Sequence, residues 1–393
     1  MRVLSFACGS LLWLAGCSLV PGGKMPEIPG TDPPGSGAWQ PGWLEIHHID
    51  AGQAASTLIV GPTGRALLVD AGEAEWDGDD GALLVGSYIR SVLGSAHLDY
   101  VLVSHFHLDH TGYPGYGGLW HLVNRQGFAV DRLLHRDFSR YPGENGSTLA
   151  RWRTYLAGEG QNVMHPEVAK LGEDQIDLGP GVVVRVVAVD GNGRVVAQGP
   201  LNDPAPPSEN DYSVAFVLRF GLLDYFSGGD LSGETLVSDF GYSYHDIEQA
   251  VAPLARDVDV YRVNHHGSAH SSSPTFVAEL RARVDIIQVA NDDPDGHPHQ
   301  AAIDRLAPLG AIYLTERGNP ATSLGGARVV GHVVLRTADG IDYWVAGDHY
   351  IAEDPPRIDA DGDGYFQEAD PDDASSVVVP GPRGGCDPAH QAC

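Results

Sequence analysis

Basic residues and long apolar runs are scarce in this chain of 393 residues, which has 24 lysines and arginines against 52 aspartates and glutamates. The formal net charge of −28 disfavours non-specific attraction to phosphate backbones or anionic membranes, unless bound cations reverse the local field. Beyond the N-terminal segment, no stretch approaches the roughly 18 apolar residues that a transmembrane helix requires. A transport function is therefore not supported.

Cysteine is also scarce, with 4 residues in the whole chain. Cys8 and Cys17 lie in the N-terminal segment, which leaves Cys386 and Cys393 near the C-terminus. Outside the cytoplasm these two most simply pair, and we expect a disulfide between them. Apolar residues, in contrast, make up 42% of the chain, which is enough for the core of one large domain or two ordinary ones. The composition excludes a disordered protein.

Residues 1–17 predict a secretion signal, because Arg2 precedes an apolar run that is too short to span a bilayer. The run ends in Leu14-Ala-Gly-Cys17, which resembles a bacterial lipobox and implies that Cys17 is lipidated. An ordinary cleaved signal with an incidental cysteine is the alternative. A multi-acyl anchor would hold the protein stably on a membrane, and Ser18 resembles the type that is sorted to the outer membrane. We therefore expect an extracytoplasmic, lipid-anchored protein on the outer membrane of a Gram-negative bacterium.

Composition divides the rest of the chain into three parts. Residues 18–41 are rich in proline and glycine and lack a hydrophobic period, which predicts a tether. A folded domain is predicted over residues 42–350, and an acidic tail over residues 351–393.

The tail contains a pattern typical of a calcium-binding loop. Asp359, Asp361 and Asp363 alternate with other residues, a glycine follows, and Asp370 stands at the position of the last ligand. Aspartate replaces the usual final glutamate, and no clear helices flank the loop. We expect these aspartates to bind calcium weakly, with an acidic solvated linker as the alternative.

Possible metal ligands are concentrated in residues 105–110, directly after the apolar run 100–103. Such a run predicts a buried strand that ends in a loop, where several side chains can be directed to one point. His105 and His107 share a face of an extended segment and can hold one ion, whereas Asp109 and His110 turn toward a second position. Imidazole and carboxylate without thiolate suit zinc, manganese or iron. Solvated polar residues in a loop are the alternative.

The order His105-Phe-His107-Leu-Asp109-His110 resembles the HxHxDH signature of the metallo-β-lactamase superfamily. The resemblance implies an α/β protein with a four-layer αβ/βα sandwich. It also implies a centre of two divalent ions that share a hydroxide. We expect these ions to be zinc, with manganese or iron as alternatives. Hydrophobic patterning agrees with a layered α/β fold. It predicts strands over residues 44–49, 57–60, 66–72, 100–103, 182–189, 212–220, 222–226, 258–263, 284–290, 329–336 and 341–345, and helices over residues 80–93, 147–158 and 245–255.

Further possible ligands stand at three other strand ends. Asp230 follows two glycines, His265 and His266 follow the strand 258–263, and His297 follows the strand 284–290. By the resemblance, Asp230 bridges the two metals. The resemblance assigns the metal ligands as His105, His107, Asp109, His110, Asp230 and His265. Catalytic roles fall to Asp109, His266 and His297, and the two histidines are either ligands or substrate contacts.

Seven pieces in this order resemble the metallo-hydrolase domain of ComEC-like DNA-uptake proteins and its free-standing relatives, over residues 43–346. The pieces are Asp50-Ala-Gly-Gln53, Asp70-Ala-Gly72, Ser104-His-Phe-His-Leu-Asp-His110, Asn210-Asp-Tyr-Ser213, Gly229-Asp230, His265-His266-Gly-Ser268 and His297-Pro298. Many members of the wider superfamily place a histidine ligand before the bridging aspartate, where this chain has Glu209-Asn210-Asp211. That ligand is missing or replaced, and His266 or His297 could complete the coordination sphere.

These features predict a metal-dependent hydrolase of phosphoester or phosphodiester bonds in a small molecule or a polymer, either nucleic acid or a phosphorylated surface polymer. His266 or His297 could protonate the leaving oxygen, because histidine titrates near neutral pH. Hydrolysis of a lactam, lactone or thioester is one alternative, and a catalytically silent, metal-holding surface protein is another. Nucleic acid is expected only as a substrate, the membrane only through the lipid anchor, and no protein partner is evident.

Overall fold

A computed structural model describes residues 38–72, 80–141, 147–193, 206–238, 241–291 and 293–352. Several predicted features lie outside these described residues. They are the signal peptide with Cys17, the tether up to residue 37, the calcium loop with Asp359, Asp361, Asp363 and Asp370, and the Cys386–Cys393 disulfide. No helix of the described part has the length and the apolar character to cross a membrane.

The described residues form strands β1 to β18 and helices α1 to α8. The strands are β1 (Leu44–His48), β2 (Thr57–Val60), β3 (Ala66–Val69), β4 (His97–Leu102), β5 (Ala129–His135), β6 (Pro166–Val168), β7 (Val182–Ala188), β8 (Ala215–Phe220), β9 (Leu223–Ser227), β10 (Leu236–Val237), β11 (Ser243–Tyr244), β12 (Val260–Arg262), β13 (Val284–Ile287), β14 (Ala311–Leu314), β15 (Arg328–Val329), β16 (Val333–Thr337), β17 (Asp342–Val345) and β18 (Asp348–Ile351). The helices are α1 (Asp80–Leu93), α2 (Leu108–Thr111), α3 (Gly118–Asn124), α4 (Thr148–Ala157), α5 (Gln161–Met164), α6 (Glu248–Ala255), α7 (Pro274–Leu280) and α8 (Gln300–Leu306).

The first large sheet has the strand order β18-β17-β16-β1-β2-β3-β4-β5-β6. β1, β2 and β3 pair antiparallel, and the turn before β3 places Gly64 at φ +88°, a conformation that glycine adopts without strain. From β3 to β6 the strands are parallel, and α1 makes the crossover from β3 to β4. Asp70 and the loop 103–112 therefore leave neighbouring strands at the same edge of the sheet.

The second large sheet has the strand order β15-β14-β13-β12-β9-β8-β7. β9, β12, β13 and β14 are parallel, and α6, α7 and α8 connect them in turn. Asp230, His265 and His297 follow the carboxyl ends of three neighbouring strands. In a parallel sheet these ends meet at one edge, which is where such folds bind their ligands.

Three buried apolar clusters define the layers. The first lies between the two sheets and includes Leu102 of β4 and Phe216 of β8. The second packs α1, α3 and α4 on the outer face of the first sheet, with Trp152 of α4 fully buried. The third packs α6, α7 and α8 on the outer face of the second sheet, with Phe276 of α7 at its centre. This stacking of helices, sheet, sheet and helices confirms the predicted four-layer αβ/βα sandwich.

Some predicted elements agree with the structure and others differ. α1 has the predicted bounds, and β16 and β17 form the predicted antiparallel pair. The strand predicted from residue 212 begins at Ala215, because residues 209–212 form a 3-10 turn that the Ser208 side chain caps by accepting from Asn210 N. The helix predicted from residue 245 begins at Glu248. His245 lies outside the helix, and its Nδ1 is 2.8 Å from Asp211 Oδ2. The predicted strand 329–336 is divided between two sheets, since Gly331 at φ +75° turns the chain.

Candidate metal centre

The loop after β4 brings four of the predicted ligands together. The short helix α2 begins directly after His107 and carries Asp109 and His110. His105 Nε2 lies 3.1 Å from His107 Nδ1, and the ring centroids of His105 and His110 are 4.1 Å apart. His105 and His110 are fully buried, whereas His107 and Asp109 are partly exposed. The loop therefore contributes two buried imidazoles, His105 and His110, and a solvent-accessible side formed by His107 and Asp109.

Asp230, which follows β9, lies between these side chains. Its Oδ1 is 3.2 Å from His110 Nε2. Its Oδ2 is 3.8 Å from His105 Nε2 and 3.8 Å from His265 Nε2. One carboxylate oxygen thus faces His110, and the other faces His105, His265 and His266, whose Nε2 is 3.9 Å away. A carboxylate with imidazole nitrogens near both oxygens could bridge two ions.

Four side chains could hold one ion together. Asp109, His110, Asp230 and His266 each offer a ligand atom, and these atoms all lie within 4.8 Å of one another. His266 Nε2 is 3.2 Å from Asp109 Oδ2 and 3.3 Å from His110 Nε2. His105, with His107 beside it, lies toward the other oxygen of Asp230 and marks a second possible position.

The two histidines after β12 take different positions around Asp230. His266, predicted as a ligand or a substrate contact, is buried within the group of four. His265, predicted as a ligand, lies outside that group and keeps 17% of its side chain exposed. Both residues have left-handed backbone conformations, with φ of 50° and 52°. Each such residue redirects the chain, so adjacent side chains in this turn take directions that an extended segment would not produce.

Asp70 determines which nitrogen of two imidazoles faces the centre. Its Oδ2 accepts from Ser104 Oγ at 2.7 Å and lies 2.7 Å from His110 Nδ1. Because an ionised carboxylate only accepts, His110 carries its proton on Nδ1 and presents the Nε2 lone pair inward. Ser104 Oγ donates its proton to Asp70, and it therefore accepts from His105 Nδ1, 3.1 Å away. His105 is held in the same tautomer.

Gln288, which follows β13, determines which nitrogen of His266 faces the centre. Its backbone carbonyl accepts from His266 Nδ1 at 2.7 Å, which leaves Nε2 facing the centre. The Gln288 side chain accepts from Thr57 Oγ1 at 3.1 Å and donates to the Ser56 carbonyl at 2.8 Å. The two sheets are therefore joined directly behind the His266 ring.

The charges of the centre call for a cation. Burial would lower the pKa of His110, but the carboxylates of Asp230, Asp109 and Asp70 raise it well above its usual value. Burial would raise the pKa of Asp230, but the histidines around it, His110 first, lower that pKa well below its usual value. Three carboxylates around one imidazole require positive charge, which a proton on His110 or a divalent ion can supply.

The residues present fit divalent ions. Asp230 Oδ1 is buried and accepts no hydrogen bond from the described residues. Arg262 Nη1 lies 3.8 Å from it, beyond hydrogen-bond distance, so a divalent ion in contact with the oxygen would reduce the cost of burying it. Imidazole nitrogen and carboxylate oxygen are ligands that zinc, manganese and iron accept. The lone pairs of His105, His110 and His266 all face this carboxylate, as a metal site requires.

A turn that is anchored by a buried ion pair connects the loop of His105 with the loop of Asp230. Arg136 Nε lies 2.8 Å from Glu209 Oε1, and Arg136 Nη2 lies 2.5 Å from Glu209 Oε2. Glu209 Oε1 also accepts from the backbone N–H of Phe106 at 3.1 Å. At the other end of the same turn, Ser213 Oγ accepts from the Asp230 N–H at 3.2 Å. The turn Glu209–Tyr212 therefore connects the His105 loop to the Asp230 loop.

His297, a predicted catalytic residue, lies at the side of the centre. Its ring centroid is 5.3 Å from that of His265 and 5.9 Å from that of His266. Asp293 Oδ2 accepts from the His297 backbone N–H at 2.6 Å and lies 2.7 Å from His297 Nδ1. Burial would raise the pKa of Asp293, but His297 lowers it below its usual value. The carboxylate therefore holds the ring in place.

The predicted site residues of the described domain are thus brought to one edge of the sandwich, although their individual roles stay predictions. Sequence reasoning did not identify Ser104, Gln288 or Asp293 as part of the site. It named Asp70 only as part of the motif Asp70-Ala-Gly72. Asp70 and Gln288 stand one residue beyond the ends of β3 and β13, and Ser104 stands two residues beyond β4. A strand end is therefore the signal that could have marked these three, whereas Asp293 lies farther along its loop.

Comparison with known proteins gives a match to a family model. The sequence profile described as the metallo-β-lactamase superfamily matches residues 49–289. Among curated proteins, ComE operon protein 3 of Bacillus subtilis (strain 168) is 29% identical over 105 residues, which are 26% of this chain and 12% of that protein. The chain therefore spans only a small part of the length of that relative.

Solved structures with similar folds have low sequence identity to the chain. A diphosphatase of the PhnP family is 14% identical, with a TM-score of 0.37, and the match covers 75% of this chain and 98% of that one. Tm1679, a metal-dependent hydrolase of the β-lactamase superfamily, is 16% identical, with a TM-score of 0.41 and coverage of 69% and 95%. Yeast PDE1 is 11% identical, with a TM-score of 0.38 and coverage of 74% and 98%.

Proposed function

Because the chain belongs to the metallo-β-lactamase superfamily of metal-dependent hydrolases, we propose that it hydrolyses phosphoester or phosphodiester bonds. The observation that carries this bond class is the pair His297–Asp293 beside the metal centre. Asn210 supports it further, because many lactam-hydrolysing relatives have a histidine ligand in that region.

The open side of the centre defines where a substrate arrives. His105, His110, Asp230 and His266 are buried beneath it. Asp109 keeps 25% of its side chain exposed, and His265 keeps 17%. A phosphoryl group that approaches from solvent therefore meets Asp109 and His265 before it reaches the buried ligands.

The chain's own residues hold the reacting groups in place. His105 and His107 would hold one ion, and Asp109, His110 and His266 the other, with Asp230 between them. Divalent ions bound there would lower the pKa of water toward about 7 and stabilise the charge that gathers on phosphoryl oxygens. Asp70 and Gln288 keep the imidazoles oriented, so this geometry does not have to be assembled during the reaction.

His297 is placed to give a proton to the leaving oxygen. Asp293 Oδ2 accepts from the His297 backbone N–H and lies 2.7 Å from Nδ1, without being aligned for a hydrogen bond to that nitrogen. Nε2 is therefore the ring nitrogen that we assign to the substrate. An alkoxide leaves a phosphodiester poorly unless it is protonated, and a positioned acid contributes roughly 10²- to 10⁴-fold to such a step. The ring is nearly buried and adjacent to His265, so it lies at the edge of the centre.

A substrate panel tests the bond class. Metal-loaded protein is assayed with bis-p-nitrophenyl phosphate, single-stranded DNA, a lactone and nitrocefin, and chelated protein is the control. We expect metal-dependent cleavage of at least one phosphodiester and no cleavage of nitrocefin. Good turnover of nitrocefin or the lactone, with every phosphodiester intact, would refute the bond class and leave the fold assignment in place.

Comparison of leaving groups tests His297. We expect His297→Ala to reduce cleavage of a dinucleotide by roughly 10²- to 10⁴-fold, because its alkoxide needs the proton. Cleavage of bis-p-nitrophenyl phosphate should fall much less, since p-nitrophenolate leaves without protonation. His349→Ala is the matched control, because His349 is exposed on β18 beside Asp342. Equal losses for both substrates would contradict the proton-donor role.

The setting of this activity follows from the sequence. We propose that the mature protein acts outside the cytoplasm, attached through lipid on Cys17, on a small-molecule or polymeric phosphoester. Labelling with a radioactive fatty acid, in the protein and in Cys17→Ser, tests the anchor. Equal labelling of the two would show that Cys17 is not the lipidated residue.

A further inference from the structure

The turn Glu209–Tyr212 places an uncharged amide against the metal centre. The whole stretch 208–213 is buried. Glu209 is attached to the His105 loop through Phe106, and Ser213 is attached to Asp230. Asn210 lies between these two attachments, so its side chain is held between the two segments that carry the proposed ligands of one ion.

Asn210 lacks a proper hydrogen-bond partner for one end of its amide. The residue is 1% exposed, and its Oδ1 is buried without a hydrogen bond from any part of the chain that the structure describes. Its Nδ2 lies 3.5 Å from Nδ1 and 3.4 Å from Nε2 of His265. Nearly equal distances to both nitrogens place the amide against the imidazole ring, instead of in a directed hydrogen bond. A buried amide oxygen without a donor is costly.

We propose that Asn210 Oδ1 completes the ion position formed by His105, His107 and Asp230. The Nε2 atoms of His105, His265 and His266 lie 3.8, 3.8 and 3.9 Å from Asp230 Oδ2. Of these three rings the Asn210 amide contacts that of His265, which, like His105, lies outside the group of four that could hold the other ion. An amide carbonyl is a good ligand for a hard or borderline divalent ion. The ion would supply the partner that Oδ1 lacks.

This assignment makes the two ion positions unequal in charge. Asp109 and Asp230 both serve the position of His110 and His266, whereas the other position has Asp230 as its carboxylate and a neutral amide in place of a second one. Fewer anionic ligands hold a divalent ion less tightly. The ions therefore bind in order, first at the position of Asp109 and then at the position of Asn210. The inference rests on the metal centre of the proposed function but not on its bond class.

Zinc titration of chelated protein, followed by calorimetry and by metal analysis, tests the proposal. Wild-type protein should bind one ion tightly and a second more weakly. We expect Asn210→Ala to lower the affinity of the second step by roughly 10- to 100-fold and to leave the affinity of the first step unchanged. Asn210→Asp should tighten the second step, because it adds a negative charge to the same ion. Asn124→Ala, on the surface of α3, is the matched control and should leave both steps unchanged.

Other outcomes would overturn the proposal. If Asn210→Ala binds both ions as wild-type protein does but raises KM, the amide contacts substrate only. If both steps weaken together and the urea midpoint of the chelated variant falls, the role is structural. Should Asn210→Ala fail to fold, Asn210→Asp decides alone, since an unchanged second step in that variant refutes ligation. Failure of the phosphodiester panel would not alter this titration, so the two claims can fail separately.

Discussion

Replacing Asp70 with asparagine should weaken metal binding without disturbing the backbone. Asp70 has a left-handed conformation, with φ of 57°, which asparagine tolerates better than most residues. The carboxylate accepts from the Ser104 N–H at 2.8 Å and from the Ser104 hydroxyl, and it lies 2.7 Å from His110 Nδ1. An amide has one acceptor oxygen and one donor group, so it cannot satisfy all of these donors.

Either orientation of the new amide is unfavourable. If its oxygen keeps the Ser104 N–H, its NH₂ group faces His110 Nδ1, which must then give up its proton. His110 would carry the proton on Nε2 and lose the lone pair that faces the centre. If the amide is reversed, its NH₂ group faces the Ser104 N–H. Loss of a residue that orients a metal-binding imidazole weakens metal binding by roughly 10- to 100-fold, or about 1.4–2.8 kcal/mol. We expect the upper end, because Ser104 also orients His105.

Competition between chelated protein and a chromogenic chelator measures this loss. Asp99→Asn is the matched control, because Asp99 also accepts a backbone N–H, that of Ala66, but supports no imidazole. We expect the control to bind zinc as wild-type protein does. Zinc affinity of Asp70→Asn within a factor of two of wild type, with normal folding, would refute the tautomer argument.

Two further variants test the bridging carboxylate and a buried acid. Asp230→Ala should lose metal and turnover together, and lose more than any variant of a single terminal ligand, because this carboxylate faces both ion positions. Asp285 of β13 is fully buried, and burial raises its pKa well above the usual 3.8. The folded state therefore binds a proton that the unfolded state releases, so this carboxyl opposes folding increasingly as the pH rises above the usual pKa of 3.8. Asp285→Asn should gain stability relative to wild type over that range in urea unfolding of chelated protein.

Each of these two predictions would be contradicted by a specific result. Asp230→Ala that retains about two equivalents of metal and near-normal turnover would exclude the bridge. A stability difference between Asp285→Asn and wild type that stays constant with pH would show that the acid does not titrate over this range. Unfolding in chelator keeps the metal centre from contributing to the comparison.

The fold could be predicted largely because its signals are local. Residues 80–93 show the helical period of α1, and the cluster 105–110 directly follows a strand. A strand end is where a loop can direct ligands, so the motifs located the centre. The strand was predicted to begin at Tyr212 because apolar residues follow it, but Tyr212 belongs to a 3-10 turn that the Ser208 cap and the Arg136–Glu209 pair determine. Arg136 lies far away in sequence, and no local pattern shows that contact.

The site was predictable in position but not in detail. His265 and His266 have the same chemistry and adjacent numbers, and only the left-handed turn separates the buried His266 from the partly exposed His265. Asp70 and Gln288 orient histidines through contacts between distant segments. Such contacts depend on how β3, β4 and β13 are arranged in the sandwich, which hydrophobic periodicity does not specify.

The most direct test of the account follows turnover while metal is added. Chelated protein receives increasing zinc or manganese, bound metal is measured, and cleavage of bis-p-nitrophenyl phosphate is recorded in the same samples. We predict negligible cleavage without metal and a rise that is complete when about two equivalents are bound, with Asp230→Ala inactive throughout. Full cleavage by chelated protein would contradict the account, and so would saturation with two ions that leaves every phosphodiester intact while nitrocefin is cleaved.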